Sequence, residues 1–165
     1  MVGRDVDERR DTVRMGTDDA YRRLVAADHG VLATLHHRRA VDLVPVCFVV
    51  HDQQLVVPID TVKPKETMAL QRRENLQADP RATLLVEAWD RDDWSKLWWV
   101  RAELRWAGVG RQTQAVVEGM LRDKYDQYRG TDFVELLGFE ITRTSGWQAA
   151  SPPADPSAPT HPNEP

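Results

Sequence analysis

Three apolar segments follow one another within residues 30–59, joined by links of only four or five residues. No other feature of the chain limits its fold so tightly. Residues 30–35 connect to residues 41–50 through 36–40, and these connect to residues 55–59 through 51–54. Links of this length close antiparallel hairpins, whereas parallel strands need a crossover of about a dozen residues or more. Pro45 inside the second segment predicts an edge position or a bulge, because proline cannot donate to a strand ladder. Residues 82–89, 98–108 and 139–144 complete the set of strands. In the fifth, Val100, Ala102, Leu104 and Trp106 alternate with Trp99, Arg101, Glu103 and Arg105, the period of a strand with one buried face. Helical patterns cover residues 18–27, 66–78 and 112–128, the second stopped by Asp79-Pro80. Six short strands and two or three helices predict a mainly β protein: an antiparallel barrel with helices at its ends and not a doubly wound parallel sheet.

The chain divides into an N-terminal arm over 1–16, a body over 17–150 and a tail over 151–165. The tail holds six of the ten prolines and almost no bulky apolar side chains, so it is expected to be disordered. The N-terminus is charged and lacks the apolar core of a secretory signal, and no apolar run approaches the length of a membrane span. One cysteine, Cys47, excludes an internal disulfide framework and fits a reducing, cytoplasmic setting. A formal net charge of -4 with no basic stripe argues against nucleic acid as a partner.

One local charge excess runs against that balance. Residues 61–73 carry Lys63, Lys65, Arg72 and Arg73 against a single acid, Glu66, directly after an apolar strand and at the start of a helix. Ammonium groups and helix-terminal amides converging on one point suit a small phosphorylated ligand. Pro64 stiffens the loop between Lys63 and Lys65, whereas Arg72 and Arg73 read equally well as solvated charges. Residues 90–101 are unusual for a loop in carrying Trp94, Trp98 and Trp99 close together; these fit a subunit interface or the wall of an aromatic-ligand pocket. Arg101, beside Trp99, could clamp a carboxylate or phosphate. No metal motif, nucleophile elbow, P-loop or dinucleotide fingerprint is present, and such a barrel usually takes its chemistry from a cofactor.

Residues 30–35 and 43–48, Lys63-Pro64-Lys65, Glu74-Asn75-Leu76 and Asp79-Pro80-Arg81 together resemble the pyridoxamine 5'-phosphate oxidase-like split-barrel family. Lys63-Pro64-Lys65 combined with residues 93–101 and the closing Thr144-Ser145-Gly146-Trp147 is similar to the branch that uses the deazaflavin coenzyme F420. The resemblance covers about residues 18–150. It implies a six-stranded antiparallel split β-barrel of the FMN-binding type and a homodimer with cofactor sites between the subunits. It also implies a phosphate held by Lys63 and Lys65 with Thr61 as hydroxyl donor. The cofactor ring would lie along Val57, Pro58, Ile59 and Asp60, with Trp99 and Arg101 also at the cofactor. Family members often carry a glycine in the turn between the first two strands; here the turn is 36–40 and has none. The activity implied is F420-dependent hydride transfer to or from an unsaturated small organic substrate, with Asp60, Tyr125 and solvent all open as the proton donor. The alternatives are an FMN-binding oxidase or reductase of the same fold, and a non-catalytic flavin- or haem-binding protein.

Overall fold

In the computed structural model the described residues are 14–60 and 66–149, with only the backbone for 60 and 66–70. The expected tail, most of the N-terminal arm, and the loop carrying Thr61, Lys63 and Lys65 lie outside them. In chain order the elements are β1 (Arg14–Met15), α1 (Thr17–Ala26), β2 (Gly30–His36), β3 (Ala40–Val46), β4 (Val49–His51), β5 (Gln54–Asp60), α2 (Glu66–Ala78), β6 (Arg81–Ala88), β7 (Trp98–Trp106), α3 (Arg111–Lys124) and β8 (Phe133–Gln148). Short 3-10 turns cover Trp94–Lys96 and Asp126–Tyr128.

The mainly β, split-barrel class is borne out, with eight strands in place of six. The strands pair antiparallel in the order β3-β2-β6-β7-β8-β5-β4, with β1 added to β8. Two strands escape a reading by periodicity. β1 is only two residues long, and the apolar run over 41–50 breaks at Cys47-Phe48 into β3 and β4. That break shapes the molecule. β3 and β4 are the two edges of an open sheet, yet two residues separate them, so their facing ends lie within about 11 Å of each other. The sheet must therefore curl until its edges meet without hydrogen-bonding together, which is a split barrel. Pro45 sits on the edge strand β3, where its missing N–H costs no ladder bond to a second neighbour.

The inward face of the curl is the core. Leu32, Phe48, Leu55, Val57, Leu84, Val86, Val100, Ala102, Leu137 and Phe139 are buried there, capped by Leu24 of α1 and Leu76 of α2. A smaller cluster of Val49, Val56, Val117, Leu121 and Tyr128 seats α3. The β3–β4 corner is tied down from α3 and the residue after it. The Tyr125 hydroxyl accepts from Phe48 N (3.0 Å) and lies 2.7 Å from the Phe48 and Asp28 carbonyls, while Lys124 Nζ donates to Ala27 O (2.6 Å) and Phe48 O (3.2 Å). The β2–β3 turn manages without glycine by placing Ala40 at φ 67 and turning the ring of His36 inward, where Nδ1 accepts from the backbone N–H groups of Arg38 and Arg39 (3.0 and 3.1 Å). Among the described residues no helix is long and apolar enough to cross a membrane.

Candidate functional site

β4 is shorter than the strand it pairs with. Its three residues cover only Gln54–Val56 of β5, so residues 57–60 have a partner strand on one side alone, β8. Among the described residues their other edge has no partner strand, nor has the edge of β3 that faces away from β2. The sheet is thus open where residues 57–60 lead toward the lysine loop and α2. Val57 and Pro58 are buried there and Ile59 is half-buried; Val57 and Ile59 pack with the main core.

α2 crosses back onto β2 and leaves a cleft of about 200 Å³ against the β2–β3 hairpin, lined by Thr34, Arg39, Asp42, Leu43, Val44, Gln71 and Arg72. Its floor is a connected polar network. Asn75 is 2% exposed; its amide donates to Thr34 Oγ1 (3.0 Å) and to Asp42 Oδ2 (2.9 Å), and its carbonyl accepts from Gln71 Nε2 (3.1 Å). Asp42 in turn receives the fork of Arg39 (2.9 to 3.1 Å). The hydrogen bond from the Asn75 amide is the largest single cause that holds the Asp42 carboxyl below the ordinary carboxylate range, and the Arg39 guanidinium adds its own hydrogen bond and charge.

The two arginines of α2 that the sequence could not rank are sharply different in the structure. Arg73 points at β8 and pairs with Glu135, its Nε 3.1 Å from the carboxylate. Arg72 turns into the cleft, half-buried, with no hydrogen bond or ion pair among the described residues. Burial pushes its pKa down, and among the described residues no carboxylate acts against that. A desolvated guanidinium without a counter-charge is costly in a folded protein, and an anionic ligand would remove that cost. Sequence reasoning left Arg72 undecided because adjacent helical residues differ by 100° in direction, and only the packing of α2 shows which of them faces inward.

The remaining expected site residues lie elsewhere within one protomer. Trp99 and Arg101 are on the outward face of β7, opposite Trp147 and Ser145 of β8. Ile59 pairs with Glu135 of the same strand, ten residues from Ser145, so about 33 Å of strand separates the two positions. The Ser145 hydroxyl beside Arg101 is buried without a partner among the described residues. Tyr125, one of the open proton donors, does not line the cleft: it is locked at the β3–β4 corner, and burial raises its pKa. Asp60 has a described backbone at the end of β5; its side chain, with Thr61, Lys63 and Lys65, is outside the described residues.

No family model matches the sequence, and neither does any curated protein. Solved structures do match its fold. An FAD-binding protein from Mesorhizobium loti superposes with a TM-score of 0.62 at 16% identity, covering 84% of this chain and 96% of that one. A protein from Corynebacterium glutamicum, provisionally named a pyridoxamine 5'-phosphate oxidase, gives 0.55 at 11% identity over 84% and 98%. A haem-binding protein from Mycobacterium smegmatis gives 0.59 at 17% identity, covering 79% of this chain and 52% of that one. At these identities the likeness is one of fold, the split barrel shared by flavin-binding and pyridoxamine phosphate oxidase-like proteins.

Proposed function

We propose that this split barrel binds a phosphorylated flavin-type cofactor, with its phosphate in the cleft between α2 and the β2–β3 hairpin, and works as an oxidoreductase on a small organic substrate. The observation that carries the reading is Arg72, a half-buried cation with no counter-charge among the described residues, on the helix that follows the Lys63-Pro64-Lys65 loop. The residues present fit a phosphate: Arg72 would neutralise it, with Lys63 and Lys65 adding charge from the loop. The free edge at Val57, Pro58, Ile59 and Asp60 offers backbone groups along which a flat ring could lie. Within the flavin type the finer proposal is the deazaflavin F420, on the resemblance of Lys63-Pro64-Lys65 and residues 93–101. The names of solved neighbours, FAD-binding proteins among them, support the alternative, an ordinary flavin. The cofactor would supply hydride transfer; the protein would orient it and exclude water.

The same reading includes a homodimer. Leu35, Val41, Leu43 and Leu85 are exposed, and the strand register places them together on the outward face of β2, β3 and β6. Arg101 lies beside Leu85, and Trp99 follows on the same face. A second protomer laid on this face would cover Trp99 and Arg101, which one protomer keeps away from its own cleft.

The test is titration with F420, FMN, FAD and haem, followed by tryptophan quenching, then turnover with a panel of unsaturated substrates. Saturable quenching by F420 or a flavin supports the reading, and preference for F420 supports the finer one. Quenching by haem alone, or by none of the four, overturns it.

A further inference from the structure

Two large apolar rings stand exposed side by side on the loop that joins β6 to β7. Trp89 is 62% and Trp94 66% exposed, and their ring centroids lie 5.7 Å apart. The loop holds them in one shape. Asp90 Oδ1 accepts from the backbone N–H groups of Asp92 and Asp93 (both 3.0 Å), and Asp93 Oδ1 accepts from Ser95 N (3.1 Å) and the Ser95 hydroxyl (2.6 Å). Lys96 Nζ pairs with both carboxylates, at 3.3 and 3.2 Å. Trp98 and Trp99, the other tryptophans of this segment, are half-buried on β7. A fixed pair of indoles left in water is an interaction surface. The C-terminal residues of the same chain leave the fold beside it, since Ala149 N donates to Leu97 O (2.9 Å) and Leu97 N to Trp94 O (3.1 Å). The step from Ala149 across the ladder and along one 3-10 turn to Trp94 is about 11 Å. Roughly three or four extended residues span that distance, which brings Pro152 and Pro153 to the rings.

Beyond Ala149 the sequence has a strict period. Pro153, Pro156, Pro159, Pro162 and Pro165 stand three apart, with Pro152 ahead of them. A polyproline II helix has three residues per turn, so in that conformation these rings fall on one edge, about 9 Å between neighbours. Proline fixes its own φ, and the residue before each proline is steered toward the same region. Docking such a segment therefore loses little conformational entropy, and aromatic-lined grooves are the surfaces that take it. Charge does not oppose the contact: Ala150-Ser151-Pro152-Pro153-Ala154 is neutral, beside a loop that carries Asp90, Asp92 and Asp93. The geometry points to the Trp89–Trp94 pair as the docking site of the chain's own proline repeat, residues 152–159, bound in cis. Tethering supplies the effective concentration that lets a weak contact form. Trp94 then serves neither a subunit interface nor a ligand wall, and the repeat is held against the barrel, unlike the free tail that its composition predicts.

The experiment uses the full chain with 5-fluorotryptophan in place of tryptophan and follows the fluorine NMR resonances. Those of residues 89 and 94 are assigned with Trp89→Phe and Trp94→Phe. Wild type is compared with a variant that carries Pro152→Ser, Pro153→Ser, Pro156→Ser and Pro159→Ser. The resonances of Trp89 and Trp94 are expected to move in the variant while those of Trp98, Trp99, Trp106 and Trp147 stay in place. No movement, or equal movement of all of them, overturns the proposal. A second arm digests the protein with an endoproteinase that cuts before aspartate and reads cleavage between Ala154 and Asp155 by mass spectrometry. Cleavage is expected to be about three- to tenfold faster in Trp94→Ala than in wild type; equal rates overturn the proposal. Should Trp94→Ala not fold, the fluorine arm decides alone, because its proline substitutions lie outside the described fold. Resonance positions that hold across protein concentration support docking in cis; positions that shift with concentration assign the pair to a second copy and overturn it. Neither arm contains a cofactor, so the outcome is independent of the cofactor site proposed above.

Discussion

Arg72 and Arg73 are adjacent in sequence and opposite in physical situation, and substitution should separate them in two measurements at once. Arg72→Gln removes a half-buried charge without a described partner, so it should raise the melting temperature, or leave it unchanged, while weakening cofactor binding about ten- to a hundredfold. Arg73→Gln removes a partly exposed ion pair with Glu135 and should change stability by no more than about 1 kcal/mol, with affinity unaltered. Calorimetry and quenching titrations on the two variants check both. Loss of stability with unchanged affinity in Arg72→Gln would remove the basis of the proposed site. Asp42 adds a pH dependence. Its folded pKa lies below the ordinary 3.8, so its contribution to stability is complete above that value and fades as pH falls through the lower folded value. Acid unfolding followed by circular dichroism below about pH 4 should therefore be shallower in Asp42→Asn than in wild type.

Among the elements, the β3–β4 corner carries the most consequence, because two residues there bring the sheet's edges together. Phe48 N and Phe48 O both meet the Tyr125 hydroxyl, and Lys124 Nζ reaches the same carbonyl. Tyr125→Phe deletes the hydroxyl and keeps the ring, leaving a part-buried N–H unpaired; denaturant unfolding should show a loss of about 1–3 kcal/mol. β8 has its own constraint. A Cβ on Gly138 would stand 2.2 Å from Gly108 O, where the chain after β7 folds back and the amides of Ala107 and Gly108 donate to Gly138 O. Gly138→Ala must push that backbone away and should cost about 1–3 kcal/mol or more, read in the same unfolding experiment.

At the scale of the molecule, the outward face of β2, β3 and β6 is the unfinished surface. Leu43 is 64% exposed on the edge strand β3, with Val41 and Leu35 beside it and Leu85 across the face on β6. If a second protomer covers this face, Leu43→Glu should convert the dimer to a folded monomer in sedimentation, with circular dichroism unchanged. A wild-type protein that sediments as a monomer at micromolar concentration would remove the dimer from the proposal, and with it the expectation that Trp99 and Arg101 reach a cofactor.

The sequence by itself determined the antiparallel β class, since links of four and five residues leave no room for crossovers. It also placed α2 within its observed bounds and assigned the inward and outward faces of β7, because those depend on local periodicity and on Asp79-Pro80 as a stop. It did not determine β1, nor the corner that splits residues 41–50 into two strands, because both follow from where the sheet closes and not from any local preference. The basic character of residues 61–73 was legible as composition; which of its cations lacks a counter-charge was not. That depends on the angle at which α2 seats Leu76 in the core and Asn75 against Thr34, a choice made by packing between segments some forty residues apart. The gap between Ile59 and Arg101 along β8 is likewise a fact of register, invisible in one dimension and fixed once β5 and β7 take opposite edges of the same strand.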